Sequence, residues 1–261
     1  MTMAVIETAR DDRAAIDKAF SLLVAFGGDA STGLGVSELA RRTSLSKSTA
    51  FRVLGMLERN AMVERVGKNY RLGSRLHELG REVYAPGLDR LRDVLLPYLT
   101  ELFETTKSTV HLATLHGTDV LYLAKLNGHR TVAAPSRIGG RLPATCTSIG
   151  KVLLAYDPDA AAAALAAPLP RLTPRSTTDP ASLEQGLSAI RRAGVATEYE
   201  ESRLGVQCAA VPLLGRNGRP MAAMSVSAPV GEDMRPIIAT LRRVCASAAR
   251  AVNRTEFACT A

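Results

Sequence analysis

Ser46, Lys47, Ser48, Thr49 and Arg52 set three hydroxyls and two cations close together along the chain. All of them can donate hydrogen bonds to phosphates or base edges. Ala50, Val53, Leu54 and Leu57 recur at i, i+3, i+4 and i+7, one apolar stripe at helical period. The donors and Arg59 therefore occupy the remaining face of a helix that Ser46–Thr49 opens and that runs to about Asn60. A short helix over 35–42 and a tight turn at Thr43-Ser44-Leu45 precede it. Residues 62–66, 67–69 and 70–72 follow as strand, tip and strand, with Lys68 at the tip. A helix with short polar and basic residues in its first turn, followed by a basic hairpin, is the pattern of a winged helix-turn-helix.

Charge agrees. The chain carries a formal +8, with 33 Lys and Arg against 25 Asp and Glu. Residues 35–75 hold nine basic side chains and three acidic ones, so +6 of the total falls on this stretch. A basic footprint confined to one element suits phosphate neutralisation. The expected DNA-contacting residues are Arg41, Ser46, Lys47, Ser48, Thr49, Arg52 and Lys68. Upstream, Ile16, Phe20, Leu23 and Val24 stripe a first helix ending near Gly27-Gly28, expected to pack under the helix-turn-helix.

With 261 residues, 46% of them hydrophobic, the chain has material for one large or two modest cores. No apolar run reaches the roughly 18 residues of a membrane span, and Arg10-Asp11-Asp12-Arg13 does not fit a secretory signal. Cys146, Cys208, Cys245 and Cys259 lie far apart without a Cys-x-x-Cys, against a zinc module or a secreted disulfide framework. A reduced, cytoplasmic protein without a metal or cofactor is expected, with domains at 1–73 and 88–261 joined by a linker helix over 74–87.

The second domain mixes helices and strands. A helix is expected over 88–106, a hairpin from 109–115 and 120–126, short extended pieces at 131–134 and 137–138, and a helix from Thr147 or Ser148 to Tyr156. Further on come a helix over 183–192, strands 207–213 and 221–228 around an Asn-Gly turn, and a last helix striped by Ile237, Leu241, Val244, Cys245, Ala248 and Val252. The strands are apolar on both faces, so helices should cover the sheet.

Two stretches have ligand-binding chemistry. Leu142–Lys151 brings a polar loop into a helix start of small residues, where free backbone N–H groups bind carboxylate or phosphate. It lacks the Gly-x-x-x-x-Gly-Lys-Ser/Thr spacing of a phosphate loop. In the other stretch, 198–208 continuing to 225–227, Val206 and Cys208 share one strand face, as do Ser225 and Ser227. With Glu198 they supply a thiol, two hydroxyls and a carboxylate to one concave surface.

The chain resembles the IclR family of bacterial transcriptional regulators over nearly its whole length. Leu45–Leu54, Tyr70–Gly73, Leu142–Ala155 and Glu200–Cys208 through Pro229 carry the resemblance. It implies an α/β (α+β) architecture with a C-terminal GAF/PAS-like effector-binding domain, assembly as dimers or dimers of dimers, and ligand-controlled binding to operator DNA. The family's effector contacts carry over onto the backbone of Ser148 and Ile149 and onto Glu198, Val206, Cys208, Ser225 and Ser227. Here Ser148-Ile149 replaces the Gly-Ala of members that bind small keto acids, and Glu198 replaces their Asp, so the lining is bulkier. The expected effector is a small organic or aromatic acid.

The alternative is a cysteine-dependent enzyme acting on a small acid, using Cys208 with His111, His116 or His129. A mid-strand cysteine has no visible means of activation, so no catalytic residue is assigned. A metal sensor built on His111 and His116 fails on spacing, because five residues along a strand put them on opposite faces.

Overall fold

The computed structural model describes residues 14–27, 33–83, 87–128 and 134–254. Residues 10–13, Gly28, Tyr84, His129, the first three residues of the extended piece expected over 131–134, and Cys259 lie outside them. The chain divides into two compact units, Met1–Ala85 and Pro86–Ala261.

The first unit runs α1 (Ala15–Val24), β1 (Leu34–Gly35), α2 (Val36–Thr43), α3 (Lys47–Arg59), β2 (Val63–Val66), β3 (Asn69–Leu72) and α4 (Ser74–Val83). Ser44 adopts φ 56 at the end of α2, a left-handed turn that reverses the chain, and Leu45 N–H closes it on Ala40 O at 3.0 Å. Ser46, in extended conformation, caps α3 by accepting from Thr49 N–H at 3.1 Å. The stripe Ala50, Val53, Leu54 and Leu57 is buried together with Leu22, Phe26, Leu39, Val63 and Tyr70. β2 and β3 form the wing hairpin, and β1 adds a third strand in the order β1-β3-β2. Gly73 ends the hairpin where a Cβ would lie 2.1 Å from Ala61 O, so only glycine fits.

One expectation is corrected. α1 does pack on α2 and α3, but through Leu22, with Ala19 and Leu23 half-buried. Ile16, Phe20 and Val24 stay 69%, 63% and 77% exposed.

The second unit runs α5 (Leu88–Thr106), β4 (Thr109–His116), β5 (Asp119–Leu126), β6 (Arg141–Pro143), a 3₁₀ turn at Ala144–Cys146, α6 (Ser148–Ala155), α7 (Pro158–Leu165), α8 (Pro180–Ala193), β7 (Ala196–Tyr199), β8 (Val206–Leu214), β9 (Pro220–Pro229) and α9 (Met234–Arg254). The six strands form one antiparallel sheet, β6-β5-β4-β9-β8-β7. α5 and α9 lie together on β4, β5, β8 and β9. α6 lies on the other face, over Ala113, Tyr122, Ala196, Ala210 and Ala223, where alanines let a helix approach closely. Helices thus cover both faces, as the strand composition requires.

Arg137-Ile138 is not extended. That stretch is a turn, with Gly140 N–H bonded to Arg137 O at 2.9 Å, and the strand of this region is β6, a few residues later. β6, β7 and α7 had not been expected. Asp157 caps α7 through Ala160 N–H at 3.1 Å, with Pro158 in its first turn. No helix of the described residues is long and apolar enough to cross a membrane.

Candidate functional site: a basic helix face and a polar pocket

On α3 the side opposite the core exposes Lys47, Ser48, Phe51, Arg52 and Arg59. Thr49 is half-buried, and its hydroxyl accepts from Ser46 Oγ at 2.8 Å. Lys47, Arg52, Arg59 and, in the wing turn, Lys68 have no ion-pair partner among the described residues. Arg41 differs. Its guanidinium donates to both oxygens of Glu38, at 2.9 and 2.7 Å, and Arg42 donates to Glu38 at 2.8 Å. The two guanidinium groups hold the Glu38 carboxyl down at about 2. Arg71 is likewise taken up by Glu64 across the wing, at 2.7 Å. Within the first unit, Lys47, Arg52 and Arg59 on α3 and Lys68 at the wing tip are thus left with their charge unneutralised by a described acid.

In the second unit the sheet register brings the ligand candidates into rows. Glu198 pairs with Cys208, Cys208 with Ser227, and Ser227 with Thr109. In the next row Ala210 pairs with Ser225 and Ser225 with His111. Alternation turns all of these toward α6. Ser148 and Ile149 begin that helix, after Thr147 Oγ1 accepts from Gly150 N–H at 3.0 Å. The backbone N–H groups of Ser148 and Ile149 have no partner among the described residues. Ser148, Ile149, Glu198, Val206, Cys208, Ser225 and Ser227 all line one narrow pocket, whose cavity is about 20 Å³.

The pocket wall also includes Leu142 and Ser202 from the two stretches singled out by chemistry, Tyr122 and Ser136, which pattern alone does not pick out, and His111, considered above only as a base or metal ligand. His111 is buried with both ring nitrogens engaged, by Ser136 at 2.7 Å and Ser225 at 3.3 Å. Burial and the Lys125 charge push its pKa down to about 3, so it is neutral. Its ring meets Tyr122 edge-on at 5.5 Å.

Glu198 is 3% exposed. Its Oε1 accepts from the Ser202 N–H, at 3.1 Å, and from the Ser202 hydroxyl. Its Oε2, also buried, has no partner among the described residues. Burial pushes the Glu198 pKa up against the lowering effect of Ser202. Beside it Lys151 pairs with Glu201, whose Oε2 accepts from Thr177. Burial, and next the Glu198 charge, push the Cys208 thiol up, and its sulfur meets Ser227 Oγ at 3.0 Å. A thiol held neutral is no nucleophile, so this geometry gives the enzymatic alternative no support.

A winged helix-turn-helix with a free basic helix face, joined in one chain to a helix-covered sheet with a polar pocket, defines a DNA-binding transcriptional regulator with a ligand-sensing domain. Comparison with known proteins narrows this. Residues 15–67 match the IclR helix-turn-helix domain, and 88–254 match the bacterial transcriptional regulator IclR C-terminal domain. The Escherichia coli (strain K12) HTH-type transcriptional regulators XynR and KdgR are 34% and 33% identical, over 81% and 88% of this chain and 84% and 87% of theirs. The crystal structure of Thermotoga maritima IclR superposes with a TM-score of 0.75 at 29% identity, covering 92% of this chain and 97% of that one. An IclR homolog from Microbacterium hydrocarbonoxydans, complexed with 4-hydroxybenzoate, gives 0.73 at 30% identity over 93% and 100%. The chain belongs to the IclR family of bacterial transcriptional regulators.

Proposed function

We propose that this protein is a cytoplasmic, homo-oligomeric regulator, a dimer or dimer of dimers, whose grip on operator DNA is set by a small organic or aromatic acid in the α6 pocket. Ser48, Thr49 and Arg52 reach base edges from α3, with Ser46 and Lys47 at its start, while Lys68 and Arg41 meet the flanking phosphates. Ser148, Ile149, Glu198, Val206, Cys208, Ser225 and Ser227 hold the effector.

The observation that carries this reading is the pocket's unmet hydrogen-bonding capacity. Among the described residues, the N–H groups of Ser148 and Ile149 at the start of α6 have no partner, and neither does the buried Glu198 Oε2 elsewhere in the lining. Buried polar groups are nearly always paired, and a helix N-terminus favours an anion. A ligand carboxylate answers the first. Glu198 answers the ligand through Oε2, donating when protonated or accepting from a ligand hydroxyl when ionised. The 4-hydroxybenzoate bound by the Microbacterium homolog is an acid with a carboxylate and a hydroxyl, the chemistry these groups would meet, and the narrow cavity would have to widen to admit it.

A thermal-shift screen of small organic and aromatic acids on the full chain tests it, since binding to the folded state raises apparent stability. Ser227→Leu fills the pocket and should abolish the response while operator binding persists, which also certifies that the variant folds. If the Ser227→Leu protein still responds with normal affinity, the effector sits elsewhere.

A further inference from the structure

We propose that Phe51 reads a thymine methyl group in the major groove, so that each operator half-site carries a thymine where this ring lands. The inference rests on reading α3 as the helix that enters the groove.

Opposite its buried stripe, α3 presents Ser48, Phe51, Arg52, Gly55 and Arg59, spaced i, i+3, i+4, i+7 and i+11. Two features of this outer stripe are unexplained within the unit itself. Phe51 is 54% exposed, although Phe26 and Tyr70 of the same unit are in its core. Gly55 sits in the helix interior, where glycine is less favourable than alanine by about 1 kcal/mol. A Cβ on Gly55 would meet no atom within 4 Å, so no neighbour demands a glycine there. The result is a shallow notch at Gly55, bordered one turn away by Phe51 and Arg52 on one side and Arg59 on the other. A water-exposed ring and a glycine without an internal reason thus share the stripe on which Arg52 and Arg59 lie.

The chemistry of the groove says what the ring would meet. Major-groove base edges offer nitrogen and oxygen donors and acceptors, and a single apolar group, the C5 methyl of thymine. Phosphates give an aromatic ring nothing. Pressed against polar edges, Phe51 would strip their water without replacing their hydrogen bonds, which is unfavourable. Against a methyl group it buries apolar surface on both sides. The notch at Gly55 lets the helix approach close enough for that contact, while Arg52 and Arg59 supply the polar readout beside it.

The test removes the methyl and nothing else. The full-length protein selects binding sites from a random-sequence duplex pool, and each thymine of the selected site is replaced singly by deoxyuridine, which keeps every hydrogen-bonding group. Wild-type binding should weaken roughly three- to tenfold at one position per half-site, the effect of about one buried methyl group. Phe51→Ala should bind the thymine and uridine sites alike there, and should melt at the wild-type temperature because the ring is exposed. The proposal is overturned if no uridine substitution weakens the wild type, or if the same substitution weakens Phe51→Ala by the same factor. The wild-type arm needs no variant to fold. If the pool yields no site, or Arg52→Ala binds the selected site normally, α3 is not the reading helix and the inference falls with that reading.

Discussion

Glu198 and His111 stand on neighbouring rows of one sheet face, and burial drives both toward their neutral forms, with opposite consequences for stability. His111 has its folded pKa lowered from 6.5 to about 3. The unfolded chain takes up that proton first, so stability is lost as pH falls below 6.5. Glu198 has its folded pKa raised above 4.5. The unfolded chain ionises first, so stability is lost as pH rises from there through the folded value. Glu198→Gln keeps an acceptor for Ser202 and has no charge to bury. It should be more stable than wild type at about pH 8, by roughly 1–3 kcal/mol, with the gap closing near pH 4. Chemical denaturation across pH measures this, and a gap independent of pH would mean that Glu198 titrates normally. His111→Gln should flatten the acid limb of the same profile.

At the scale of elements, α6 works because its first turn is locked. Thr147 caps it, and Gly150 lies where a Cβ would come within 2.3 Å of Ala144 Cα and O. Thr147→Ala should lower stability by about 1 kcal/mol. Gly150→Ala should lower it by about 1–3 kcal/mol or more, since backbone must move to admit the methyl group. Both should weaken effector binding by shifting the N–H groups, as calorimetry with an identified acid would show. On α3, Lys47→Ala should weaken all DNA alike and reduce the salt slope by about one unit. Arg52→Ala should cost roughly 1–3 kcal/mol and relax preference at one or two base pairs. Unchanged binding in both variants would remove α3 from the DNA.

These elements were unevenly legible in the sequence. α3 and α5 declare themselves by helical periodicity, and the 109–126 hairpin by two apolar runs around a polar turn. Cys208, Ser225 and Ser227 follow from alternation along β8 and β9. β6 and β7 escape because three or four residues at the sheet edges hold no measurable period, and α7 because its alanines give no stripe, although Asp157-Pro158 announces it. Tyr122, Ser136 and Ser202 join the pocket through cross-strand register and loop paths that spacing along one strand does not encode. In α1 the period marks an apolar face, yet Ile16, Phe20 and Val24 stay exposed, since a stripe tells that a face is apolar and not which surface covers it.

At the scale of the molecule, the assembly proposed above has a candidate contact in the exposed residues of α1. Ile16, Phe20 and Val24 are spaced evenly about Phe20, so two antiparallel copies of α1 would set Ile16 of one against Val24 of the other, the self-complementarity of a two-fold interface. A two-fold reader also gains affinity and half-site spacing by pairing. Light scattering should find a dimer or larger assembly at micromolar concentration, with Phe20→Glu shifting it toward smaller species. A wild-type monomer there would sink the oligomeric reading.

The central pairing of the sheet, β4 with β9, joins residues more than a hundred positions apart. The winged unit needs only local contacts and can be finished while a ribosome is still translating. The sensing unit must wait until β9 has emerged, holding β4 and β8 with open inner edges meanwhile. During its own synthesis, each molecule therefore passes through an interval in which it can hold a DNA-reading head and no working sensor. Its exposed strands are then a target for chaperones.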